Sequence, residues 1–204
     1  MLSRTEFIAF LIKSGALRFG DFTLKSGARS PFFVNLGEVR TGAHLTTLGG
    51  ALADALRESF PDVNVLFGPP YKGISLVTAA AIAWHQRFGT EIATTYRRKE
   101  VKGHGEGGNF VGHHPKEDDR VVIVDDVMSD GQTKFQAIDR LQAAFGVKAP
   151  GILVCVDRRP KAWSSKRKDL KVASLATLSD LIAYLEAKGH PQHQAMIDFY
   201  EGRI

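Results

Sequence analysis

Short, β-branched apolar runs alternate with helical stretches along most of the chain, and this alternation restricts the fold more than any other feature. The apolar runs cover residues 63–67, 91–96, 120–125, 151–156 and 172–176. Residues 73–88 and 133–145 have the spacing of amphipathic helices, and two more helices are predicted at the end of the chain. Strands that alternate with helices pair in parallel through right-handed crossovers. The pattern therefore predicts an α/β fold, with a central parallel sheet and helices on both faces.

The beginning of the chain has a different character. Ser3 and Glu6 have the spacing of a capping box, so we expect the first helix to begin there. Residues 20–37 then alternate apolar and polar positions around a turn-rich centre, which predicts a hairpin. A further helix is predicted over residues 43–60. The chain thus enters its alternating part through a small helix-and-hairpin unit.

Length and composition exclude several classes of protein. The 204 residues are 44% hydrophobic and suffice for one compact domain, residues 1–204, without disulfides. The single cysteine, Cys155, excludes an intrachain disulfide framework and any multi-cysteine metal site. The largely apolar stretch at residues 77–84, which Thr78 interrupts, is far below the roughly 18 residues of a membrane span, and no signal-peptide pattern opens the chain. We therefore expect a cytoplasmic protein without membrane contact, whose net charge of +5 favours a polyanionic partner.

The stretch VVIVDDVMSDGQT, residues 121–133, has the strongest chemical pattern. A continuously apolar run ends in Asp125 and Asp126, and a loop with a hydroxyl group and a glycine then opens a helix. Ligands of open parallel sheets bind at the carboxyl ends of the strands, and such loops favour a phosphate. Paired acids suit sugar hydroxyls or hydrated Mg²⁺. The alternative is that Asp126 and Ser129 only cap the helix and that Asp125 is solvated.

Two other segments have features of an anion site. In GPPYKG, residues 68–73, glycines let backbone amides approach a ligand and Lys72 adds a flexible cation, although a rigid strand-to-helix turn is the alternative. Residues 97–115 contain five glycines and little apolar content, which is typical of a mis-assigned element or a functional lid. Taken alone, the charges of this segment fit a solvated basic loop. Four of its potential cations lie within seven residues, and these are Arg98, Lys99, Lys102 and His104.

These motifs, with LKSG at residues 24–27 and SPFF at 30–33, resemble those of the orotate phosphoribosyltransferases, a branch of the type I phosphoribosyltransferase family. The resemblance covers about residues 19–158. It implies transfer of a phosphoribosyl group from 5-phosphoribosyl 1-pyrophosphate (PRPP) to orotate in pyrimidine biosynthesis, giving orotidine 5′-monophosphate and pyrophosphate. It also implies Mg²⁺ as cofactor, a hood at about residues 1–40, and a homodimer in which a mobile loop reaches the neighbouring subunit's active site.

The resemblance assigns roles to individual residues. It implies that Lys102 and His104 stabilise the leaving pyrophosphate and that Asp125 and Asp126 hold the ribose hydroxyls, directly or through water, with Mg²⁺ nearby. The remaining PRPP-binding residues implied by it are Tyr71, Lys72, Arg98, Lys99, Val127, Met128, Ser129, Asp130, Gly131, Gln132 and Thr133. The orotate site implied by it consists of Lys25, Phe32, Phe33, Ser129 and Arg158. Without the resemblance, the two phenylalanines are better explained as a hairpin core.

The phosphate loop departs from the usual family pattern at three positions. Ser129 stands where Thr is common, although it keeps the hydroxyl group. Asp130 stands where a small residue is common, and Gln132 where Ser or Thr is common. A negative charge beside the expected 5′-phosphate is unfavourable unless the Asp130 side chain points away or caps the helix. The details of this loop therefore stay open at the level of sequence.

Three alternative functions remain to be weighed. A purine-type phosphoribosyltransferase is disfavoured by Lys25 with the Phe32–Phe33 pair. A non-catalytic PRPP-sensing regulator on the same fold is disfavoured by the intact loop around Lys102 and His104. The basic stretch at residues 158–171 resembles a nucleic-acid patch, but with Trp163 as its sole aromatic residue it is better explained as a solvated loop. We therefore expect PRPP and orotate as partners, and no nucleic acid.

Overall fold

The computed structural model describes residues 2–23, 27–98, 109–164, 167 and 169–204. In chain order these residues form α1 (Arg4–Lys13), β1 (Leu17–Thr23), β2 (Arg29–Val34), a short 3-10 helix (Leu36–Glu38), α2 (Gly42–Ser59), β3 (Val65–Phe67), α3 (Lys72–Phe88), β4 (Ala93–Arg97), β5 (Phe110–Gly112), β6 (Arg120–Met128), α4 (Gln132–Phe145), β7 (Lys148–Asp157), β8 (Lys171–Thr177), α5 (Leu178–Ala187) and α6 (His193–Tyr200). The expected site residues Lys25, Lys99, Lys102 and His104 lie outside the described residues.

A six-stranded sheet forms the centre of the molecule, in the order β5-β4-β3-β6-β7-β8. The five strands predicted from the apolar runs are confirmed as β3, β4, β6, β7 and β8, and their pairings with one another are all parallel. Their observed ends lie within three residues of the predicted ones. The parallel α/β fold expected from the alternation of strands and helices is thus confirmed.

Strand β5 is the element that the sequence left unassigned. It runs antiparallel to β4 at the edge of the sheet, with Thr95 opposite Gly112 and Arg97 opposite Phe110. Three residues, one of them glycine, are too few to show a period of two, so no strand pattern is visible there. Of the segment at 97–115, residues 110–112 therefore form an edge strand that the sequence pattern did not indicate.

The central strand β6 is buried on both faces of the sheet. Val122 and Val124 belong to the core that includes α2 and α3, whereas Val121 and Ile123 belong to the core that includes α4. All four side chains are fully buried. Burying one such side chain contributes about 1.5–3 kcal/mol, so the apolar run anchors the two carboxylates, Asp125 and Asp126, that come next in the same strand.

The N-terminal unit packs against the end of the chain. Ser3 and Glu6 form the predicted capping box of α1, and β1 and β2 form the predicted antiparallel hairpin. The ring of Phe32 in β2 meets that of Phe199 in α6 edge to face, with centroids 5.5 Å apart. The last helix therefore supports the hairpin from the sheet side.

Candidate active site

Three loops meet at the carboxyl edge of the sheet, because β3, β6 and β7 are neighbouring parallel strands. Residues 68–71 follow β3, residues 129–131 follow β6, and Arg158 follows β7. The N–H of Arg158 donates to the carbonyl of Met128 over 2.9 Å, which joins the last two of these strand ends. The edge where the sequence predicted ligand binding therefore brings all three motifs together.

Asp125 and Asp126 each bind one backbone amide and one lysine. Asp125 accepts the N–H of Asp126 over 2.9 Å, and its other oxygen lies 2.7 Å from Lys134 Nζ. Asp126 accepts the N–H of Val127 over 2.8 Å, and its other oxygen lies 2.8 Å from Lys72 Nζ. Four charges thus form two matched pairs at the centre of the site, and neither acid is a simple helix cap.

The two pairs differ in their exposure to solvent. The side chains of Lys134 and Asp125 are 10% and 11% exposed, whereas that of Lys72 is 46% exposed. Burial raises the pKa of Asp125; the Lys134 ammonium opposes the rise, and the Asp126 carboxylate adds to it. The Asp125 pair is therefore fixed in the interior, and the Asp126 pair faces the solvent.

Sequence reasoning identified both acids and Lys72 but missed Lys134. The buried face of α4 consists of Lys134, Ala137, Ile138 and Leu141, at the spacing i, i+3, i+4 and i+7. A lysine at the first position of an apolar stripe is the signal that identifies it. Such a side chain has to reach a carboxylate, because an unpaired buried charge is costly.

The phosphate loop turns into α4 at Gly131, whose φ of +80° lies in the left-handed region. A Cβ there would lie 2.6 Å from Met128 Cε and 2.9 Å from Phe135 Cζ, so the turn requires glycine. Ser129 and Thr133 are exposed beside the first turn, where amides have no partner within the helix. Backbone and hydroxyl donors are thus presented to the solvent, as a phosphate site needs.

Asp130 occupies part of this loop itself. One of its carboxylate oxygens accepts the N–H of Gln132 over 3.1 Å, and both side chains are exposed. Asp130 precedes the N-cap residue, Gly131, and binds the N–H of Gln132, the first residue of α4, so the structure is nearer to the capping arrangement considered from the sequence. The negative charge therefore lies on a first-turn amide instead of pointing away from it.

The loop after β3 is tightly folded around two glycines. A Cβ on Gly68 would lie 2.4 Å from the carbonyl oxygen of Gly73, and one on Gly73 would lie 2.7 Å from Pro69 Cδ. The side chain of Tyr71 is exposed at the start of α3, next to Lys72. This close backbone packing leaves the loop surface open to a ligand.

Arg158 lies in an aromatic clamp between the hairpin and the last helix. Its guanidinium carbon is 5.0 Å from the ring centre of Phe32 and 5.4 Å from that of Phe199, and its Nη2 makes a long contact of 3.4 Å with Ser30 Oγ. No carboxylate among the described residues pairs with this group, and burial lowers its pKa. A half-buried guanidinium without a carboxylate partner can donate hydrogen bonds to the carboxylate of a ligand.

The two phenylalanines of the SPFF motif face opposite sides of β2, as neighbouring strand residues must. Phe32 is fully buried and contacts Arg158, whereas Phe33 is 36% exposed and packs against Phe22, with ring centres 5.6 Å apart. The structure therefore brings Phe32 together with Arg158 and places Phe33 on the solvent side. Sequence reasoning missed Phe199, because nothing in the local sequence links it to a hairpin more than 160 residues away.

Beside the phosphate loop, a cavity of about 180 Å³ lies between the loop after β3 and α4. Its walls include Thr133 and three arginines, which are Arg97, Arg98 and Arg140. The N–H of Arg98 donates to the carbonyl of Asn109 over 2.7 Å, which links the residue after β4 to the residue before β5. This side of the site is therefore strongly positive.

Three cations of the basic stretch have partners within the protein. Arg159 pairs with Asp157 and stacks 4.4 Å from the ring centre of Trp163, and Arg167 pairs with Asp139 over 2.9 Å. Lys171 Nζ donates to the carbonyl of Ser59 over 2.7 Å. These three side chains thus have partners within the fold, and the interpretation of the stretch as a solvated loop stays a prediction.

Within the described ranges, the chain supplies no group of three or more His, Cys, Asp or Glu side chains that could hold a metal ion alone. Cys155 is fully buried in β7, and burial raises its pKa well above the ordinary value, so it is not a nucleophile. In the same part of the chain, no helix combines the length and apolar character needed to cross a membrane.

Comparison with known proteins agrees with this geometry. The family model described as the phosphoribosyl transferase domain matches residues 42–181. Orotate phosphoribosyltransferase from Ruthia magnifica subsp. Calyptogena magnifica is 42% identical over 189 residues, which cover 89% of this chain and 88% of that protein. The enzyme of the same name from Thioalkalivibrio sulfidiphilus is 40% identical over 209 residues, which cover 98% and 97%.

Solved structures share the whole fold. The orotate phosphoribosyltransferase of Francisella tularensis superposes with a TM-score of 0.78 at 31% identity and covers 96% of each chain. UMP synthase of Leishmania donovani superposes with a TM-score of 0.77 at 28% identity, over all of this chain and 43% of that one. The chain therefore belongs to the phosphoribosyltransferase family and, within it, to the orotate phosphoribosyltransferases.

Proposed function

We propose that the carboxyl edge of the sheet transfers the phosphoribosyl group of PRPP to orotate, forming orotidine 5′-monophosphate and pyrophosphate for UMP biosynthesis. The observation that carries this proposal is the guanidinium of Arg158, which is half-buried between two aromatic rings without a carboxylate partner among the described residues. Orotate supplies a carboxylate of the right charge for this position. A purine base has none, so it would leave this cation unpaired.

PRPP fits the three loops by charge and donor type. Its 5′-phosphate binds the loop from Ser129 to Thr133, where exposed hydroxyls and first-turn amides converge. Its ribose hydroxyls bind beyond the apolar run of β6, where the acid pair of Asp125 and Asp126 lies. Its pyrophosphate binds residues 68–73, Lys72 and Arg98, beside the cavity that Arg98 lines with two further arginines. The positive charge of this edge thereby matches the most highly charged end of the substrate.

Mg²⁺ fits this site when PRPP brings most of its ligands. The oxygens of Asp125 and Asp126 already bind amides and lysines, and the described residues offer no third ligand. Mg²⁺ is usually held by one or two carboxylates together with substrate phosphates and waters. Asp125 and Asp126 would hold it through water, and the ion would supply charge neutralisation at the pyrophosphate.

Positioning and electrostatics account for the catalysis. The bond from ribose C1 to pyrophosphate breaks while a ring nitrogen of orotate approaches C1, so positive charge develops on the ribose and negative charge on the leaving group. Lys72 and Arg98 face the leaving group, and the family resemblance adds Lys99, Lys102 and His104. Donors fixed in advance lower the barrier, because they need no reorganisation during the reaction. No covalent nucleophile is required.

The assembly follows the family resemblance. A hood formed by about residues 1–40, supported by α6, covers the orotate side, and two chains form a homodimer in which the lid of each enters the other's site. The enzyme is cytoplasmic. Mixing two inactive variants, Lys102→Ala and Arg158→Ala, tests the shared sites: hybrid dimers should recover some activity, and no recovery despite proven subunit exchange contradicts sharing.

A spectrophotometric assay tests the activity directly. Purified protein with PRPP and Mg²⁺ should deplete the absorbance of orotate and release one pyrophosphate for each orotate consumed. Consumption of hypoxanthine or guanine with unchanged orotate would assign a purine substrate instead. Binding of PRPP without turnover of any base would assign a regulator.

A further inference from the structure

Lys134 is a buried lysine at the centre of the site, and neither the family resemblance nor the proposed chemistry uses it. It stands in the first turn of α4, and its Nζ lies 2.7 Å from Asp125. As a whole residue it is 8% exposed, which is rare for lysine unless the charge is paired. A lysine in place of an apolar residue at this core position indicates a role for its charge in the site.

The geometry divides the two acids into one engaged and one available carboxylate. Both oxygens of Asp125 are engaged inside the protein, one by a backbone N–H and one by Lys134. Asp126 also has two donors, but one of them is the half-exposed Lys72. Pulling a buried ammonium away from its partner is costly, whereas an exposed pair separates at little cost. Lys72 can therefore leave Asp126, and Lys134 stays on Asp125.

We propose that Lys134 is a positioning residue that keeps Asp125 neutralised, so that Asp126 alone accepts the ribose hydroxyls of PRPP when Lys72 moves to the pyrophosphate. This rests on the proposed function, because it concerns the same PRPP site. Without Lys134, the site would hold two carboxylates and a single lysine. The surplus negative charge would repel a substrate that already carries a monophosphate and a pyrophosphate.

Charge-removing variants test the proposal through PRPP affinity, measured by calorimetry with Mg²⁺ and without orotate. Lys134→Met keeps the length of the side chain but leaves the Asp125 carboxylate without its partner charge. We therefore expect the affinity for PRPP to fall by about tenfold, as is typical for groups in contact. Asp125→Asn leaves the Lys134 ammonium unpaired and should also weaken PRPP binding. The double variant Lys134→Met/Asp125→Asn removes both charges, so neither is left unpaired, and its PRPP affinity should lie within about threefold of that of the wild type.

Controls separate this role from a structural one. Lys134→Arg keeps the charge and should bind PRPP better than Lys134→Met at equal thermal stability. Lys72→Met is the matched control, because Lys72 pairs with Asp126; adding Asp125→Asn to it should rescue nothing. If Lys134→Met alone fails to fold, the double variant, which has no unpaired buried charge, still decides the question.

Two results would overturn the proposal. If the double variant binds PRPP as weakly as Asp125→Asn alone, then Asp125 contacts the ribose itself. If Lys134→Met binds PRPP like the wild type, the buried charge has no effect on the substrate. Absence of PRPP binding by the wild type is a separate outcome, which rejects the proposed function instead.

Discussion

The ring of Phe199, five residues from the end of the chain, meets the ring of Phe32 edge to face with centroids 5.5 Å apart. The guanidinium of Arg158 lies against both rings, so the last helix and the N-terminal hairpin together orient one cation. Cation–π contacts of this kind contribute about 0.5–2 kcal/mol. The proposed base site is therefore formed around Arg158 by segments from near the two ends of the sequence.

Replacing Phe199 with leucine should loosen Arg158 while preserving an apolar contact with the hairpin. We expect the KM for orotate to rise by about three- to tenfold with an unchanged PRPP affinity, because one of the two rings that hold the guanidinium is lost. Steady-state kinetics with each substrate varied in turn measure this. The control is Phe22→Leu, since Phe22 packs on Phe33 away from Arg158. Equal effects of both variants would show a general loss of hairpin packing.

Removing the charge at Arg158 should weaken orotate binding selectively. A hydrogen bond to a charged group contributes about 1.5–3 kcal/mol, so Arg158→Gln should raise the KM for orotate by roughly 10- to 100-fold. The matched control is Arg159→Gln, because Arg159 is already paired with Asp157. A larger effect at Arg159 than at Arg158 would transfer the substrate-binding role to the neighbouring residue.

Local patterns predict those parts of the fold that depend on local chemistry. The run at 121–124 is apolar throughout because β6 is buried on both faces, so it could be predicted, and so could the two acids that follow it. The strand itself continues past the acids to Met128, which the apolar pattern does not indicate. The capping box of α1 is equally local, since its two partners are three residues apart. In each case a few adjacent residues contain the whole physical cause.

The features that sequence reasoning missed depend on distant partners. Phe199 joins the base site through the packing of α6 on β2, and Lys134 through the carboxylate at the end of β6. Asp130 is a different case, because its partner Gln132 is only two residues away; its role is open in the sequence since either orientation of its side chain is chemically possible. Long-range packing thus determines which of the polar residues enter the site.

Asp180 links the stability of the fold to pH. Burial by itself would raise its pKa, but hydrogen bonds from the Thr177 hydroxyl and N–H and the ion pair with Arg4 outweigh this, so the pKa lies below the ordinary value. A depressed carboxyl pKa stabilises the folded state above the unfolded value of about 3.9, and the contribution disappears as pH falls through the lower folded value.

The variant Asp180→Asn should accordingly lose stability at neutral pH and little at strongly acidic pH. Urea unfolding of both proteins at a series of pH values measures the difference in the free energy of unfolding. That difference should shrink steadily as pH falls below about 4. A difference that is constant across this range would show that the ionisation of Asp180 does not contribute to the stability of the fold.

The turn into α4 gives a comparison of two glycines with similar backbone angles. Gly131 and Gly146 have φ of +80° and +69°, so alanine at either position incurs the left-handed penalty of about 1–2 kcal/mol. A Cβ at Gly146 meets nothing within 4 Å, whereas one at Gly131 collides with Met128 and Phe135. Gly131→Ala should therefore be the more destabilising change in thermal unfolding. It should also weaken PRPP binding, because shifting this turn displaces the first-turn amides that receive the 5′-phosphate, and Gly146→Ala should leave PRPP affinity unchanged. Equal PRPP affinities of the two variants would mean that the phosphate does not bind this loop.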